Sequence, residues 1–403
     1  MLRNKKVLFG ICGSIAIYKV CDVIRQLVLK GAEVIPILTR GAERFVTPLV
    51  FSALSGNKAY TEDDFFNREI LGALHIKLAK GSDLIVIAPA TADFMAKASQ
   101  GMADSLLLAT LLATKSPVIF FPAMNTNMYL HRATQENVKR LKEYGYAVYE
   151  PEEGALACGD SGKGRLPSPE TIFLTIESMF YPKNLKNKRV LITGGATKEY
   201  IDDVRFITNA SSGKMAYSFA KEAYFRGAEV ILVLGDVKVP FVFPDLSCLG
   251  FKPPKIIKVN TTEEMFKAVD KVFQDVDIAV FAAAPVDFKP KSKLQGKLKK
   301  SSPPVLELEL TKDIALEVGK KKSSQITVGF ALEEAEKLEG YAKEKIKRKN
   351  FDILIANPIE TIGKDSSNFL VLFKDKKLKL ENTSKSELSK KIFEEVYPLL
   401  AGS

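Results

Sequence analysis

Residues 5–38 of the chain, KKVLFGICGSIAIYKVCDVIRQLVLKGAEVIPIL, decide its fold. They begin with an apolar run of strand length, followed by a glycine turn and then by apolar residues at helical spacing. The tetrapeptide GAEV (residues 31–34) precedes a second apolar run. Two short apolar runs joined by an amphipathic helix predict a β-α-β unit with parallel strands.

The same order returns in residues 189–234, again with GAEV before the closing apolar run. The second copy is longer, and its extra residues, 198–214, are rich in Ser, Asp and Asn. We expect them to form a polar functional loop that faces the ligand crevice. Later apolar runs alternate with helical segments, and the last two, residues 369–373 and 377–380, predict a terminal hairpin. The pattern therefore predicts an α/β protein with two doubly wound, Rossmann-like parallel sheets.

With 403 residues and 46% hydrophobic content, the chain can build two full cores. We place the domains at residues 1–182 and 189–403, with the polar residues 183–188 as the linker. The net charge of +11 arises from 59 basic and 48 acidic residues. The lysines are spread along the chain without interleaved aromatic residues, so we expect no nucleic-acid partner.

Neither a membrane segment nor a secretory signal is expected from this sequence, because no apolar run has spanning length. Its four cysteines show no metal spacing and no disulfide framework. A reducing compartment suits such cysteines best. We therefore expect a cytoplasmic protein without a membrane partner.

The first glycine turn, residues 10–14 (GICGS), lacks the third glycine of a dinucleotide fingerprint. Its backbone N–H groups and the hydroxyl of Ser14 suit a single phosphate, and Thr39 after the next strand adds a hydroxyl. A mononucleotide such as FMN therefore fits better than NAD. Helix capping is the alternative explanation for each hydroxyl.

Residues 122–128 (PAMNTNM) follow an apolar strand, so Asn125 lies just past its carboxyl end, where open parallel sheets bind ligands. A capped turn is the alternative for this heptapeptide. His75 is one of two histidines; it is a candidate base or a gap-filling helix residue. Cys158, in a glycine-rich and basic loop, is a candidate acidic thiol or an incidental cysteine.

Five segments in this order resemble the flavin-dependent cysteine decarboxylases: GSIA at residues 13–16, His75, APATAD at residues 88–93, PAMN and a second Met at residues 122–128, and ACGD at residues 157–160. With its second half included, essentially the whole chain resembles the bacterial bifunctional phosphopantothenoylcysteine decarboxylase/phosphopantothenate–cysteine ligases of coenzyme A synthesis. The resemblance implies a flavodoxin-like N-terminal domain and a C-terminal ligase domain.

For the first half, the resemblance implies FMN bound through Gly13, Ser14, Thr39, Ala90 and Thr91. FMN would take a hydride from the cysteine Cβ of the substrate, and the resulting thioaldehyde would lose CO₂ readily. His75 would act as the base. Asn125 and Met124 would hold the substrate, and Cys158 would protonate the ene-thiol.

In the second half, SSGK at residues 211–214 precedes a helix but lacks Walker A spacing. Residues 294–300 and 343–349 are two basic runs that are candidates for binding an anion. The alternative is that they form solvent-exposed faces. The resemblance implies a CTP site formed by Phe281, Ala282, Ala283, Asp287, Lys297, Thr311, Lys312, Asp313, Ile314, Phe330, Lys345 and Lys349. Asn209 would stabilise an acyl-cytidylate and Arg205 would help to bind anionic substrates, while Mg²⁺ would assist the loss of pyrophosphate.

The resemblance also implies 4′-phosphopantothenate, cysteine and CTP as substrates. It implies a homo-oligomer in which decarboxylase trimers are joined through ligase dimers into a dodecamer. Two alternatives remain at this stage: a flavin-binding regulatory protein, and another FMN enzyme of the same fold such as a flavin prenyltransferase.

Overall fold

The computed structural model describes residues 1–67, 72–156, 159–299, 305–334, 338–359 and 364–401. It divides into two compact units. The first comprises Met1–Tyr181 together with Pro244–Gly250, and the second comprises Pro182–Phe243 and Phe251–Ser403.

The first unit is built on a five-stranded parallel sheet in the order β2-β1-β3-β4-β5. Its strands are β1 (Lys6–Ile11), β2 (Glu33–Leu38), β3 (Leu84–Ala90), β4 (Val118–Pro122) and β5 (Ala147–Val148). An antiparallel hairpin, β6 (Glu152–Ala155) and β7 (Ser161–Arg165), follows them. Every residue of the central strand β3 is buried, as expected for a parallel strand covered on both faces.

The helices of this unit follow the strands in the alternation that the sequence predicts. They are α1 (Ile17–Leu29), α2 (Arg40–Glu43), α3 (Pro48–Ser55), α4 (Leu74–Lys80), α5 (Ala92–Ser99), α6 (Leu106–Ala113), α7 (Thr126–Leu130), α8 (Arg132–Glu143) and α9 (Pro169–Met179). Gly10 lets α6 approach β1, because a Cβ at this position would lie 2.8 Å from the Leu107 methyl groups.

The second unit contains an eight-stranded sheet in the order β12-β11-β8-β13-β16-β17-β18-β19. Its strands are β8 (Arg189–Gly194), β11 (Glu229–Leu234), β12 (Lys255–Lys258), β13 (Ile278–Phe281), β16 (Ile326–Glu333), β17 (Ile353–Pro358), β18 (Ser366–Phe373) and β19 (Lys377–Ser384). The first six in spatial order are parallel, and β18 and β19 form the predicted antiparallel terminal hairpin. The predicted α/β class with two doubly wound sheets is confirmed.

In the described part of the second unit, five α-helices accompany this sheet: α10 (Lys214–Phe225), α11 (Thr262–Phe273), α12 (Ile314–Gly319), α13 (Leu338–Arg348) and α14 (Lys385–Ala401). A short antiparallel pair, β14 (Phe288–Pro290) and β15 (Leu308–Leu310), lies outside the main sheet.

The segment of residues 198–214, expected to be a loop, contains a second antiparallel hairpin, β9 (Lys198–Tyr200) and β10 (Phe206–Thr208). Strands of three residues are too short to show the alternation by which a strand is recognised in a sequence. The expectation of a polar loop was therefore wrong for these six residues, which form strands.

Candidate active sites

A cavity of about 690 Å³ lies at the carboxyl edge of the first sheet. Of the predicted flavin residues, Gly13, Thr39 and Thr91 line it, and each lies just past the end of a strand. Gly13 has no room for a side chain, because a Cβ there would lie 2.7 Å from the carbonyl carbon of Gly41. The two glycines thus bring the β1 and β2 turns together at the cavity wall.

The threonine hydroxyls at this edge also cap helices. Thr39 Oγ1 accepts a hydrogen bond from Ala42 N at 3.3 Å, and Thr91 Oγ1 accepts one from Phe94 N at 3.3 Å. Thr39 Oγ1 also donates a hydrogen bond to Ile11 O at 3.3 Å, which leaves it one lone pair for a ligand donor, whereas the Thr91 hydroxyl can still donate to a ligand oxygen. The capping and ligand-binding explanations are therefore compatible.

Two predicted flavin residues are not in the cavity lining. Ser14 Oγ accepts a hydrogen bond from Ala16 N at 3.3 Å before α1. Ala90 is fully buried, and its carbonyl accepts from Ala123 N at 3.0 Å. Ala90 thus holds the start of the PAMNTNM heptapeptide beside β3, while Met128 at its end reaches the cavity.

The cavity residues that were not predicted from the sequence include Glu62, Phe65 and Phe66. Glu62 Oε2 accepts a hydrogen bond from Leu106 N at 2.9 Å, while its Oε1 is buried without a partner in the described part of the chain. Burial raises the pKa of this carboxyl, which favours its neutral form. No local motif marks these residues, because the chain folding between β2 and α4 brings them to the sheet edge.

The cavity suits a flavin mononucleotide. Phe65, Phe66 and Phe94 provide apolar walls for a planar ring system. The threonine hydroxyls, the strand-to-helix turns and the buried oxygen of Glu62 provide polar partners for a ribityl chain and a phosphate.

Asn125 is the N-cap of α7, where its Oδ1 accepts a hydrogen bond from Asn127 N at 2.8 Å. Its Nδ2 donates to Asp160 Oδ2 at 2.9 Å. The capped turn therefore exists, and the same side chain also joins the heptapeptide to the glycine-rich loop.

The β6–β7 hairpin packs directly on the heptapeptide. Met124 N donates a hydrogen bond to Gly164 O at 3.0 Å. A Cβ at Gly164 would overlap the Met124 carbonyl, and one at Gly162 would lie 2.6 Å from Thr126 Oγ1. Glycine is required at both positions for this close approach.

His75 lies half-buried on α4, with its ring edge-to-face against Phe65 at a centroid distance of 5.7 Å. His75 is not itself a lining residue, but Phe65, which it contacts, is part of the cavity wall. Cys158 lies outside the described residues.

In the second unit, the predicted residues Phe281, Ala282 and Ala283 follow one another at the carboxyl end of β13. Asn209, directly after β10, donates through Nδ2 to Pro285 O at 2.9 Å and to Ala284 O at 3.4 Å. The predicted catalytic asparagine is thereby held against the loop after β13, residues 282–285, which we call the nucleotide loop.

Five further predicted residues meet around the start of α12. Thr311 N donates to Asp287 O at 2.9 Å. Asp313 caps α12 by accepting from Leu316 N at 3.2 Å, and Lys349 Nζ lies 2.8 Å from its carboxylate. Ile314, the first residue of α12, is buried beneath them.

Lys345 belongs to the same cluster. The pKa of Lys345 is lowered to about 8, mainly by burial and also by the positive charge of Lys349, against the raising effect of Asp313 and Asp287. An amine that is partly desolvated between acids and a second lysine suits an anionic ligand such as a phosphate.

Other predicted residues lie apart from this cluster or are already paired. Lys312 pairs with Glu263 at 3.1 Å, and Phe330 packs edge-to-face against Phe219. Lys297 is exposed. Arg205 Nη1 donates a hydrogen bond to Asp202 Oδ2 at 2.6 Å, so its guanidinium already pairs with a carboxylate of the protein. Its role in binding anionic substrates stays a prediction.

Within the described residues, no group of three or more His, Cys, Asp and Glu side chains is arranged to hold a metal ion. The described helices also include none that is both long and apolar enough to span a bilayer.

The comparisons with known proteins cover both halves. Residues 1–180 match the family model described as Flavoprotein. Residues 185–399 match that of the DNA/pantothenate metabolism flavoprotein C-terminal domain. The chain is 42% identical to the coenzyme A biosynthesis bifunctional protein CoaBC of Bacillus subtilis, over 99% of this chain and 98% of that protein.

The chain belongs to the CoaBC family. The protein of the same name from Vibrio vulnificus is 39% identical over 99% of both chains. The resemblance drawn from the sequence motifs is confirmed, and the protein is a bifunctional enzyme of coenzyme A biosynthesis.

Solved structures match each half of this CoaBC-family chain separately. The C-terminal domain of a CoaBC protein is 34% identical over 55% of this chain and all of its own length, with a TM-score of 0.46. A cysteine-to-serine variant of a PPC decarboxylase, complexed with pantothenoylaminoethenethiol, is 28% identical over 44% of this chain and 99% of its own, with a TM-score of 0.40.

Proposed function

We propose that residues 189–403 join 4′-phosphopantothenate to cysteine at the expense of CTP, and that residues 1–182 convert the product into 4′-phosphopantetheine. The observation that carries this proposal is the 42% identity to a bifunctional protein over nearly the whole of both chains. A flavin-sized cavity in one unit and a cluster of lysines and aspartates around Lys345 in the other support the assignment of one activity to each unit.

In the ligase half, Lys345 and Lys349 neutralise the CTP phosphates as the 4′-phosphopantothenate carboxylate attacks the α-phosphate and pyrophosphate leaves. Mg²⁺, bound with the nucleotide phosphates, would supply positive charge that assists the loss of pyrophosphate. The Asn209 amide, held by Pro285 O, stabilises the acyl-cytidylate while the cysteine amine attacks it. No protein nucleophile is needed, because the two substrates supply both nucleophiles.

In the decarboxylase half, FMN, when bound, would supply a two-electron acceptor that takes up hydride and returns it. Gly13, Thr39 and Thr91, which line the cavity, would hold it at the sheet edge with Ser14 and Ala90 nearby in the chain. His75 accepts the proton that leaves the substrate thiol. Asn125 and Met124 bind the substrate carboxylate and amide, and an amide binds a carboxylate without adding charge. After CO₂ is lost, Cys158 would donate the proton that, together with the hydride returned from the reduced flavin, converts the ene-thiol into the saturated thiol of 4′-phosphopantetheine.

We also propose a cytoplasmic homo-oligomer, with trimers of the first half and dimers of the second joined into a dodecamer. Phe66, which lines the flavin-sized cavity, supports a subunit contact there, since this large apolar side chain is 84% exposed. Light scattering on the purified protein tests the twelve-chain assembly.

One experiment tests the proposed function. Purified protein is incubated with 4′-phosphopantothenate, cysteine, CTP and Mg²⁺, and CO₂, pyrophosphate and 4′-phosphopantetheine are measured. We expect all three, from a yellow protein. A colourless protein that takes up no FMN would refute the first half of the proposal. A flavin-binding regulatory protein would be yellow but would release no CO₂, and absence of pyrophosphate would refute the ligase half.

A further inference from the structure

The segment of residues 293–298, which carries Lys297, is fastened to the tip of the β9–β10 hairpin (residues 201–205). Three of its backbone N–H groups donate hydrogen bonds of 2.9 to 3.1 Å to that tip: Leu294 to the Ile201 carbonyl, Gly296 to the Asp203 carboxylate and Leu298 to the Asp202 carboxylate. The last two donors flank Lys297 in the chain. The backbone of Lys297 is therefore held on both sides.

The hydrogen bonds that fix Leu298 to the hairpin tip centre on Asp202, whose side chain is fully buried. We call these contacts among Asp202, Arg205 and Leu298 the bracket. Its Oδ1 accepts from Val204 N at 2.7 Å and from Arg205 N at 2.6 Å. Its Oδ2 accepts from Arg205 Nη1 at 2.6 Å and from Leu298 N at 3.1 Å. Burial alone would raise the pKa of Asp202, but these hydrogen bonds lower it well below the ordinary value.

Arg205 completes the bracket from the other side. Its Nη2 donates to Leu298 O at 3.2 Å, so the carbonyl and the N–H of Leu298 are both bound by the Asp202–Arg205 pair. Asp203 adds an exposed ion pair with Lys293 at 2.7 Å, which solvent screens more strongly. The buried carboxylate of Asp202 is thus the main fixed point for this segment.

The opposite end of the hairpin reaches the nucleotide loop through Asn209, whose amide donates to Pro285 O. Paired strands β9 and β10 connect the two ends. The hairpin therefore links the loop after β13 to the segment that carries Lys297.

We propose that Asp202 is a positioning residue of the ligase site, which fixes Lys297 for contact with the CTP phosphates by holding Leu298. The inference rests on the proposed ligase function and on CTP contact by Lys297. It assigns Asp202 a role through Lys297, with no contact of its own to substrate.

The test is a double-mutant cycle measured on the full-length protein. Asp202→Asn keeps the shape of the side chain but removes its charge and opposes an amide N–H to Leu298 N. We expect the KM for CTP to rise about tenfold, the effect of losing one hydrogen bond to a charged group. The KM for cysteine and the decarboxylation of supplied phosphopantothenoylcysteine should stay unchanged. In a Lys297→Ala background the same substitution should have no further effect on the KM for CTP.

Glu307→Gln is the matched control, because it removes one negative charge from the neighbouring exposed Lys291–Glu307 pair at 3.0 Å without touching the bracket. We expect its KM for CTP to equal that of the wild type. An unchanged KM in Asp202→Asn would overturn the inference. So would an equal rise in the presence and absence of Lys297, because the effect would then not pass through that residue.

Should Asp202→Asn fold poorly, Asp203→Asn provides a second test, because Asp203 is half-exposed and holds only Gly296 and Lys293. We expect a smaller rise in the KM for CTP that also disappears in Lys297→Ala; no rise would overturn the inference. A wild-type protein that releases no pyrophosphate from CTP would instead refute the ligase proposal itself.

Discussion

In both sites, single polar side chains hydrogen-bond to the backbone and also have a role in the proposed chemistry. Asn125 caps α7 and reaches Asp160, and Thr39 and Thr91 cap helices at the cavity edge. Asn209 holds the loop that it is proposed to serve in catalysis. Because these side chains have fixed partners, their positions are set before any substrate binds, which favours catalysis by preorganisation.

The lowered pKa of Lys345 predicts a pH dependence for the ligase reaction. Its pKa is lowered to about 8, so it is charged below that pH and neutral above it. We expect kcat/KM for CTP, which reports the free enzyme, to fall as the pH rises through about 8. Lys345→Arg keeps its charge over this range and should shift the fall to higher pH. A profile that is the same in both proteins would contradict a role for Lys345.

Cys158→Ser tests the proposed proton donor. A serine hydroxyl is a far weaker acid than a thiol, so we expect CO₂ release to continue while the ene-thiol accumulates instead of 4′-phosphopantetheine. Mass spectrometry of the alkylated product measures the ratio. Cys21→Ser, on α1, is the control and should give the normal product. A full yield of 4′-phosphopantetheine from Cys158→Ser would refute this role.

Among the elements, the two short hairpins do the most to shape the sites. β6–β7 lies on the heptapeptide through glycines that leave no room for a Cβ. β9–β10 ties the loop after β13 to the segment that carries Lys297. Neither hairpin belongs to a main sheet, so each contributes to positioning more than to the cores.

Gly164→Ala should undock the β6–β7 hairpin, since the new Cβ would overlap the Met124 carbonyl. We expect decarboxylation to fall by about a hundredfold, as for a displacement of about 1 Å at an active site. Pyrophosphate release from CTP should stay normal. The control is Gly340→Ala, where a Cβ has open space on α13. Equal activity of the two variants would show that the docking is not needed.

The molecule as a whole carries its two proposed sites in separate compact units, each with its own sheet. All lining residues of the flavin-sized cavity belong to the first unit, and the Lys345 cluster belongs to the second. The two activities should therefore be separable by mutation.

Complementation tests this separation. Asn209→Asp replaces a donor by a carboxylate that would face the Pro285 carbonyl. We expect it to impair amide formation more than pyrophosphate release. Mixed with Cys158→Ser protein, it should restore conversion of 4′-phosphopantothenate into 4′-phosphopantetheine, because the cysteinyl intermediate can diffuse between active sites. Failure of the mixture, with each variant active in its intact half, would contradict free diffusion.

The sequence by itself determined the α/β class, the two parallel sheets and the family, because apolar spacing and strand-to-turn motifs are local properties of the chain. It also indicated which strand ends carry the candidate site residues, since the carboxyl ends of parallel strands share one edge.

Only the tertiary structure brought Glu62 and Phe65 into the cavity wall and buried Lys345 enough to lower its pKa. It also paired Asp202 with Leu298, a residue distant in the chain. Burial and contacts of this kind depend on how separate segments pack together, and no local pattern encodes them.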